Sequence, residues 1–417
     1  MSRIFESAPG LCPAGVSQAE LFAGLEELRA ADTDWRGGRS SLHVYWAGDD
    51  VQDVAVRAYA MFMNGNALAP RAFPSLGWME DRIIAMSLPL WNAPAGAGAA
   101  VTSGGTESVI LAMQAIRHWA RERRPALAFP VVLVGDSAHP AYDKAAALLD
   151  MKVRRIPLGP DFRVDMDAVR EAVTDDVVAL VGSAPCLPFG TFDSIAHLGA
   201  LAVERDLWLH VDACIGGYLA PFVAMISRDV PAFDFAVPGV RSLSADLHKY
   251  GYAPKGISLI AYRDHRDLFR HRFAFDDWPK GLYETPTLAG TRAGGSIAAA
   301  FAVMSYLGTA GYVARAAEIM RIRARLEEGL CELGGFEILG VQPVGVIAFS
   351  CPGCVMLARG DVLSRRGWYT SRIASPPGLQ MTITPVHALS VDDYLQDLAG
   401  LLHAPATAHA PVAVSTY

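Results

Sequence analysis

The residues able to do covalent chemistry sit in four short segments. The first is Ser244-Ala-Asp-Leu-His-Lys-Tyr-Gly-Tyr-Ala-Pro-Lys-Gly256. A lysine that follows a histidine in a Gly- and Pro-containing loop can reach a carbonyl, condense with it as a Schiff base, and later leave to act as a base. That lysine is Lys249; read alone, an ordinary exposed lysine is the simpler account. The second is His210-Val-Asp-Ala-Cys214, which closes an apolar run. A carboxylate there, Asp212, can hold a protonated ring nitrogen, or only cap a neighbouring loop. The third is Thr102-Ser-Gly-Gly-Thr-Glu-Ser108, ahead of the helix-like VILAMQAIRHWA. Main-chain N–H groups and hydroxyls of Ser103, Gly104, Gly105 and Thr106 at a helix start make an anion cradle, although a Gly-Gly pair by itself is a weak sign. The fourth is Asp136-Ser-Ala-His-Pro140, where His139 can stack on a flat ring or stand at the surface as a helix-starting histidine.

Each segment is ambiguous singly, and the four are complementary. Their order and strand-end placement fit one crevice at the carboxyl edge of a parallel sheet. An aldehyde for Lys249, a pyridine nitrogen for Asp212, a ring face for His139 and a phosphate for the 103–106 turn are the parts of pyridoxal 5′-phosphate. No metal is expected. Cys351-Pro-Gly-Cys354 looks like a zinc or redox half-site, but no second CxxC exists, so it reads as a turn carrying two thiols. His403 and His409 are too sparse for a metal site.

The elements that must position these segments follow from apolar patterning. VVLVG (131–135), VVALVGSA (177–184), LWLHVDA (207–213) and ISLIAY (257–262) are short apolar runs separated by helix-length stretches. They predict a mostly parallel sheet covered on both faces, an α/β architecture. Ahead of them, Ser17 and Glu20 form a capping-box pair that opens an amphipathic helix. Residues 55–87 read as a helix, a Pro-rich elbow (NALAPRAFPSLG) and a second helix beginning near Trp78. Beyond residue 300, the Ala-rich GGSIAAAFAVMSYLG leads into another helix, then GVIAFS and LQMTITPV with a helix between, which predicts a smaller α+β domain. The expected organisation is an N-terminal arm (1–55), a large cofactor-binding domain (56–300), a small C-terminal domain (301–403) and a loose Ala/Pro-rich tail (404–417).

Composition bounds the class. The 417 residues are 52% hydrophobic and 19% charged with net charge −7, ample for a large core and incompatible with disorder. No Lys/Arg block appears, so nucleic acid and anionic membrane are not expected partners. No secretion signal and no apolar run of membrane-spanning length are read, and the six cysteines read as reduced thiols, which together predict a cytoplasmic protein.

The strings VTSGGTES, SAP with PFGTFD, HVDACIGGYL, SADLHKYGYAPKG and YETPTLAGTRAGG resemble those of the sphingosine-1-phosphate lyases, within the pyridoxal-phosphate-dependent decarboxylase group. Weaker matches (HVYWAG, NALAPRAFPSL, RRGW, SPPGLQMTIT) extend the resemblance over roughly residues 40–390. It implies the aspartate-aminotransferase fold (fold type I) and an obligate homodimer with shared active sites. It also implies Lys249 as the Schiff-base lysine, Asp212 on the pyridine nitrogen, His139 on the ring, and Gly105, Thr106 and His248 at the cofactor phosphate. Thr291 stands where the family has a serine that reaches the neighbouring subunit's cofactor phosphate. Tyr45, Asn66 and Lys255 match positions lining the substrate site.

Two departures fall in the elbow. The family typically reads Asn-Pro-Leu-His-Pro-Asp where this chain has Asn66-Ala-Leu-Ala-Pro-Arg71. Ala69 thus replaces a histidine associated with the substrate phosphate, and Arg71 replaces an acid. Arg71 could hold a substrate anion, or face solvent or a subunit contact. The resemblance implies cleavage of the C2–C3 bond of a 2-amino-3-hydroxy substrate, phosphorylated or not, to an aldehyde and an amine, with Lys249, Lys255 or a tyrosine moving protons. The alternatives are decarboxylation of an L-amino acid and, as a lesser one, cofactor binding without turnover.

Overall fold

The computed structural model describes residues 10, 11, 15–227 and 229–402. Cys12, His403, His409 and the 404–417 tail lie outside the described residues.

Helix α1 (Gln18–Arg29) opens with the expected capping box, Ser17 and Glu20 satisfying one another's backbone N–H. Helix α2 (Asp49–Phe62) leads through the elbow to α3 (Pro74–Ser87). That helix begins four residues before the expected Trp78, because Pro74 occupies the first turn, where a missing N–H costs nothing. The main sheet then alternates with helices: β1 (Gly98–Thr102), α4 (Gly105–Arg123), β2 (Val131–Gly135), α5 (Ala141–Leu148), β3 (Lys152–Ile156), α6 (Met166–Ala172), β4 (Val177–Ser183), α7 (Ile195–Glu204), β5 (Trp208–Asp212), α8 (Ala220–Ala224), β6 (Val240–Ala245) and β7 (Ser258–Tyr262). Its order is β1-β7-β6-β5-β4-β2-β3. Strands β2 to β6 pair in parallel, whereas β7 runs antiparallel to both neighbours. The expected ISLIAY strand is therefore real but reversed. The 12-residue connection 246–257 after β6 carries no crossover helix, so the chain turns straight back. That return loop contains Lys249.

A two-stranded ribbon, β8 (Phe273–Phe275) and β9 (Tyr283–Thr285), follows. Helix α9 (Gly294–Leu333) is two helices joined at Gly308, whose backbone leaves the helical region. The C-terminal part carries a four-stranded sheet in the order β10-β11-β13-β12, from β10 (Glu337–Ile338), β11 (Val346–Ser350), β12 (Ser371–Ala374) and β13 (Pro377–Thr382), with α10 (Met356–Arg365) against it and α11 (Val391–Leu402) packed on α9 and α10. The boundaries expected at 55/56 and 300/301 both fall inside continuous helical segments, α2 and α9.

Two expectations need correction. The stretch 293–314 is uncharged, and α9 is long and apolar enough to cross a membrane by length and composition. Here its N-terminal half packs against α2 and α3, as an interior helix does. Cys351 and Cys354 are disulfide-bonded across a tight turn, with Cα atoms 5.4 Å apart, rather than a pair of free thiols. Cys186, Cys214 and Cys331 are free.

The elbow docks on the start of α9. The Gly294 N–H donates to the Gly65 carbonyl (2.9 Å), and Asn66 bridges Ala293. A methyl group at Gly294 would meet the carbonyl oxygens of Phe62 and Gly65 at 2.8 and 2.9 Å. Gly294→Ala is expected to lower stability by about 1–3 kcal/mol, the usual cost of overpacking. Denaturant unfolding that matches the parent chain would contradict this packing.

Candidate active site

The four chemistry-bearing segments converge on one cleft of about 470 Å³ at the carboxyl ends of β4, β5 and β6. Its walls include Tyr45, Ser103–Thr106, His139, Asp212, His248, Lys249 and Lys255.

Lys249 projects from the return loop after β6. Its Nζ lies 3.0 Å from a carboxylate oxygen of Asp246, which is only 2% exposed. Asp246 also lies 3.5 Å from His248 Nε2 and accepts from Ser258 Oγ at 2.5 Å. Burial presses the Lys249 ammonium toward its neutral form, but Asp246, with Cys214, Tyr45 and Asp212, more than offsets this and holds it above its ordinary range. Burial likewise pushes the Asp246 carboxyl up, and Lys249, His248 and Ser258 reverse this, leaving it below the usual carboxylate range. Lys249 and Asp246 thus form an ion pair at the floor of the cleft.

Asp212 closes β5 and accepts the Cys214 N–H at 3.1 Å. Behind it stand two buried groups. Tyr142 has its phenol pushed well up by burial and by Asp212. His210, held by Ser242 Oγ at 2.8 Å, is pressed by burial down to about 4 and is neutral. His139 sits at the start of α5, and its Nδ1 accepts the Ala141 N–H at 3.1 Å. That bond leaves the proton of the neutral ring on Nε2. Burial lowers its pKa, against the pull of Asp212, so the ring presents a neutral face.

The turn before α4 is fastened by Glu107, whose carboxylate accepts the Ser103 N–H and hydroxyl, both at 2.6 Å, and the Leu288 N–H at 2.8 Å. The first N–H groups of α4 have no intrahelical partners. A side chain at Gly105 would collide with Asp246 and Cys214, both 2.9 Å from the Cβ position. The backbone must therefore be bare there.

Lys255 keeps an exposed flank at the cleft mouth, where Nζ donates to the His248 carbonyl at 3.1 Å and lies 5.1 Å from the Tyr45 ring centre. Surrounding protein and the charge of Lys249 bring its pKa down to about 8.

A family model, the pyridoxal-dependent decarboxylase conserved domain, matches residues 38–352. The sphingosine-1-phosphate lyase of Oryza sativa subsp. japonica is 36% identical over 388 residues, covering 91% of this chain and 71% of that protein. The solved sphingosine-1-phosphate lyase of Burkholderia pseudomallei superposes with a TM-score of 0.91 at 35% identity, covering 95% of this chain and 93% of that one. The chain belongs to the sphingosine-1-phosphate lyases of the pyridoxal-dependent decarboxylase family. It is accordingly a pyridoxal-phosphate-dependent lyase with the fold of that group. A probable L-tyrosine/L-aspartate decarboxylase of Methanothermobacter thermautotrophicus is also similar, 32% identical over 350 residues, 84% of this chain and 94% of that protein.

The residues present fit the family cofactor. Among the described residues nothing pairs with the buried Nδ1 of His248, beside the bare backbone of Gly104 and Gly105. A phosphate at the start of α4 would supply that partner. Lys249, Asp212 and His139 then stand for the aldehyde, the ring nitrogen and the ring face.

Three residues expected near the substrate or cofactor do not line the cleft of their own chain. Asn66 and Thr291 lie together (Nδ2 to Oγ1 3.4 Å), and Arg71 is exposed on the same elbow. Among the described residues no ion pair or hydrogen bond engages the Arg71 side chain. Sequence reasoning missed Asp246, Glu107, Tyr142 and His43. Only the first two carried a local signal, three residues before Lys249 and four after Ser103.

Borohydride reduction of the loaded enzyme, followed by peptide mapping, is expected to fix the cofactor on Lys249. Lys249→Ala should abolish the label, and a label on Lys255 would overturn the assignment.

Proposed function

We propose that this lyase cleaves the C2–C3 bond of a phosphorylated 2-amino-3-hydroxy substrate, giving an aldehyde and a phosphorylated amine. The observation that carries this reading is Lys255. An amine with a pKa of about 8 beside Lys249 and Tyr45 suits removal of the proton from a 3-hydroxyl. The likeness to sphingosine-1-phosphate lyases over nearly the whole chain supports the same bond.

When bound, the cofactor supplies an aldehyde to the substrate amine and a ring that accepts the electron pair of the broken bond. Lys249 is the amine that would hold the cofactor aldehyde. Asp212 keeps a proton on the ring nitrogen. His139 presents a neutral face against which a ring can pack. As Lys255 takes the hydroxyl proton, C3 becomes the aldehyde carbon and C2 gains a proton from a lysine ammonium. Leu42, Pro185, Leu187 and Ile215 line the same cleft and limit water around the reacting carbons.

The reading includes a homodimer. Asn66, Arg71 and Thr291 form one surface away from their own cleft, flanked by exposed Met61, Met63 and Trp78. A second copy seated there would cover these apolar side chains and offer the elbow to its own cleft.

A decarboxylase reading is favoured by one finding, the similarity to the probable L-tyrosine/L-aspartate decarboxylase. Assaying aldehyde and CO₂ together separates the two. CO₂ without aldehyde from every substrate tried would sink the lyase reading.

Lys255 must be neutral to take a proton. The neutral fraction grows as pH rises, so kcat/KM is expected to increase through about pH 8 and then level. Lys255→Arg should remove that limb and cost at least about 10²-fold in kcat, the lower end of general-base contributions. A variant with the parent pH profile would exclude Lys255 as the base.

A further inference from the structure

One side chain of the cleft is used neither by the cofactor nor by the proton transfer at Lys255. His43 stands exposed on the wall, between Leu42 and Tyr45. Its backbone has φ +74°, a left-handed conformation that His, Asn and Asp tolerate better than other side chains. The turn is imposed from outside. Ser41 N–H donates to the Tyr369 carbonyl (3.0 Å), Thr382 N–H to the Ser41 carbonyl (2.7 Å), and Ser371 N–H to Ser41 Oγ (2.7 Å). Strained residues held in this way cluster at binding and catalytic sites. The imidazole is aimed as well: Nε2 lies 3.1 Å from the Tyr369 hydroxyl, and the two rings are 5.5 Å apart.

The groups facing this imidazole are Lys249 and Lys255 from the return loop, Tyr369 from the C-terminal domain, and Tyr45 on its own segment. Loss of hydration, Lys255 and Lys249 hold His43 below its ordinary pKa, toward the neutral imidazole. A dianion placed among these groups would reverse that balance and draw a proton onto the ring. The elbow offers no imidazole in exchange, since position 69 is alanine.

We infer that His43, backed by the Tyr369 hydroxyl, receives the phosphomonoester head of the substrate and protonates as the head binds. The inference rests on the lyase reading of this cleft and names the residue that selects a phosphorylated substrate. Charged hydrogen bonds to phosphate from the imidazolium N–H and the tyrosine O–H supply the affinity, leaving Lys255 free to move protons.

The test uses the holoenzyme, in which the cofactor phosphate site is filled. Inorganic phosphate is titrated calorimetrically at pH 7 in two buffers of different ionisation heat, which counts protons taken up. His43→Asn keeps a side chain suited to the left-handed turn, and its cofactor absorbance and unfolding midpoint should match the parent. It is expected to weaken phosphate about tenfold or more and to lower the net proton uptake relative to the parent, the proton released by phosphate itself being common to both. Tyr369→Phe retains the imidazole and should weaken phosphate while keeping the uptake. With substrates, His43→Asn should raise KM for the phosphorylated amino alcohol and leave kcat/KM for its dephosphorylated form unchanged. Parent-like affinity and proton uptake in His43→Asn, or equal losses on both substrates, would overturn the inference. If phosphate binds through His43 yet only CO₂ is released from substrates, the lyase reading fails and the anion site stands.

Discussion

The site is organised around a carboxylate with almost no water. Asp246 is sealed beneath the cleft floor, and its oxygens are shared among Lys249, His248 and Ser258. Removing one partner from a buried pair of this kind typically costs about 3–5 kcal/mol, because the other charge is left uncompensated. The arrangement therefore fixes the reach of Lys249 and the orientation of the phosphate-side imidazole together. The bare backbone at Gly105 follows from it, since Asp246 and Cys214 fill the space a side chain would need. The reversed β7 follows as well, since Ser258 at its start donates to Asp246 and closes the return loop.

Lys249, Asp212, His139 and the 103–106 turn were legible in the sequence because each is a local device, a strand end or a helix start with a reactive group attached. The parallel core was legible for the same reason: β2, β4 and β5 are short apolar runs with no alternation. The direction of β7 was not, because periodicity tells that a strand is buried and not which way it runs. Asp246 and Glu107 gain their roles from atoms brought in by other elements, Ser258 and Leu288 among them. His43 and Tyr369 lie 326 positions apart and meet only through the tertiary fold. The disulfide at Cys351 and Cys354 depends on a turn whose closure composition does not reveal.

The elbow shows a different limit. Asn66, Arg71 and Thr291 were legible as a group through resemblance, and the fold keeps them a group by docking residues 65–66 on the start of α9. One chain presents them outward. The departures at Ala69 and Arg71 therefore fall outside the cleft that their own chain builds.

The clamp of residues 39–42 on the C-terminal sheet has a consequence for the order in which the site is made. During synthesis a chain emerges from its N-terminal side, and domains begin to fold as they appear. The sheet beneath the cofactor site, β1 to β7, has all its strands once residue 262 is available. Ser41 must wait for Tyr369, Ser371 and Thr382 before the wall bearing Leu42, His43 and Tyr45 can settle. This segment, which precedes the sheet in the chain, is thus among the last to find its place. Until then the nascent protein has the central sheet but lacks the wall on the substrate side.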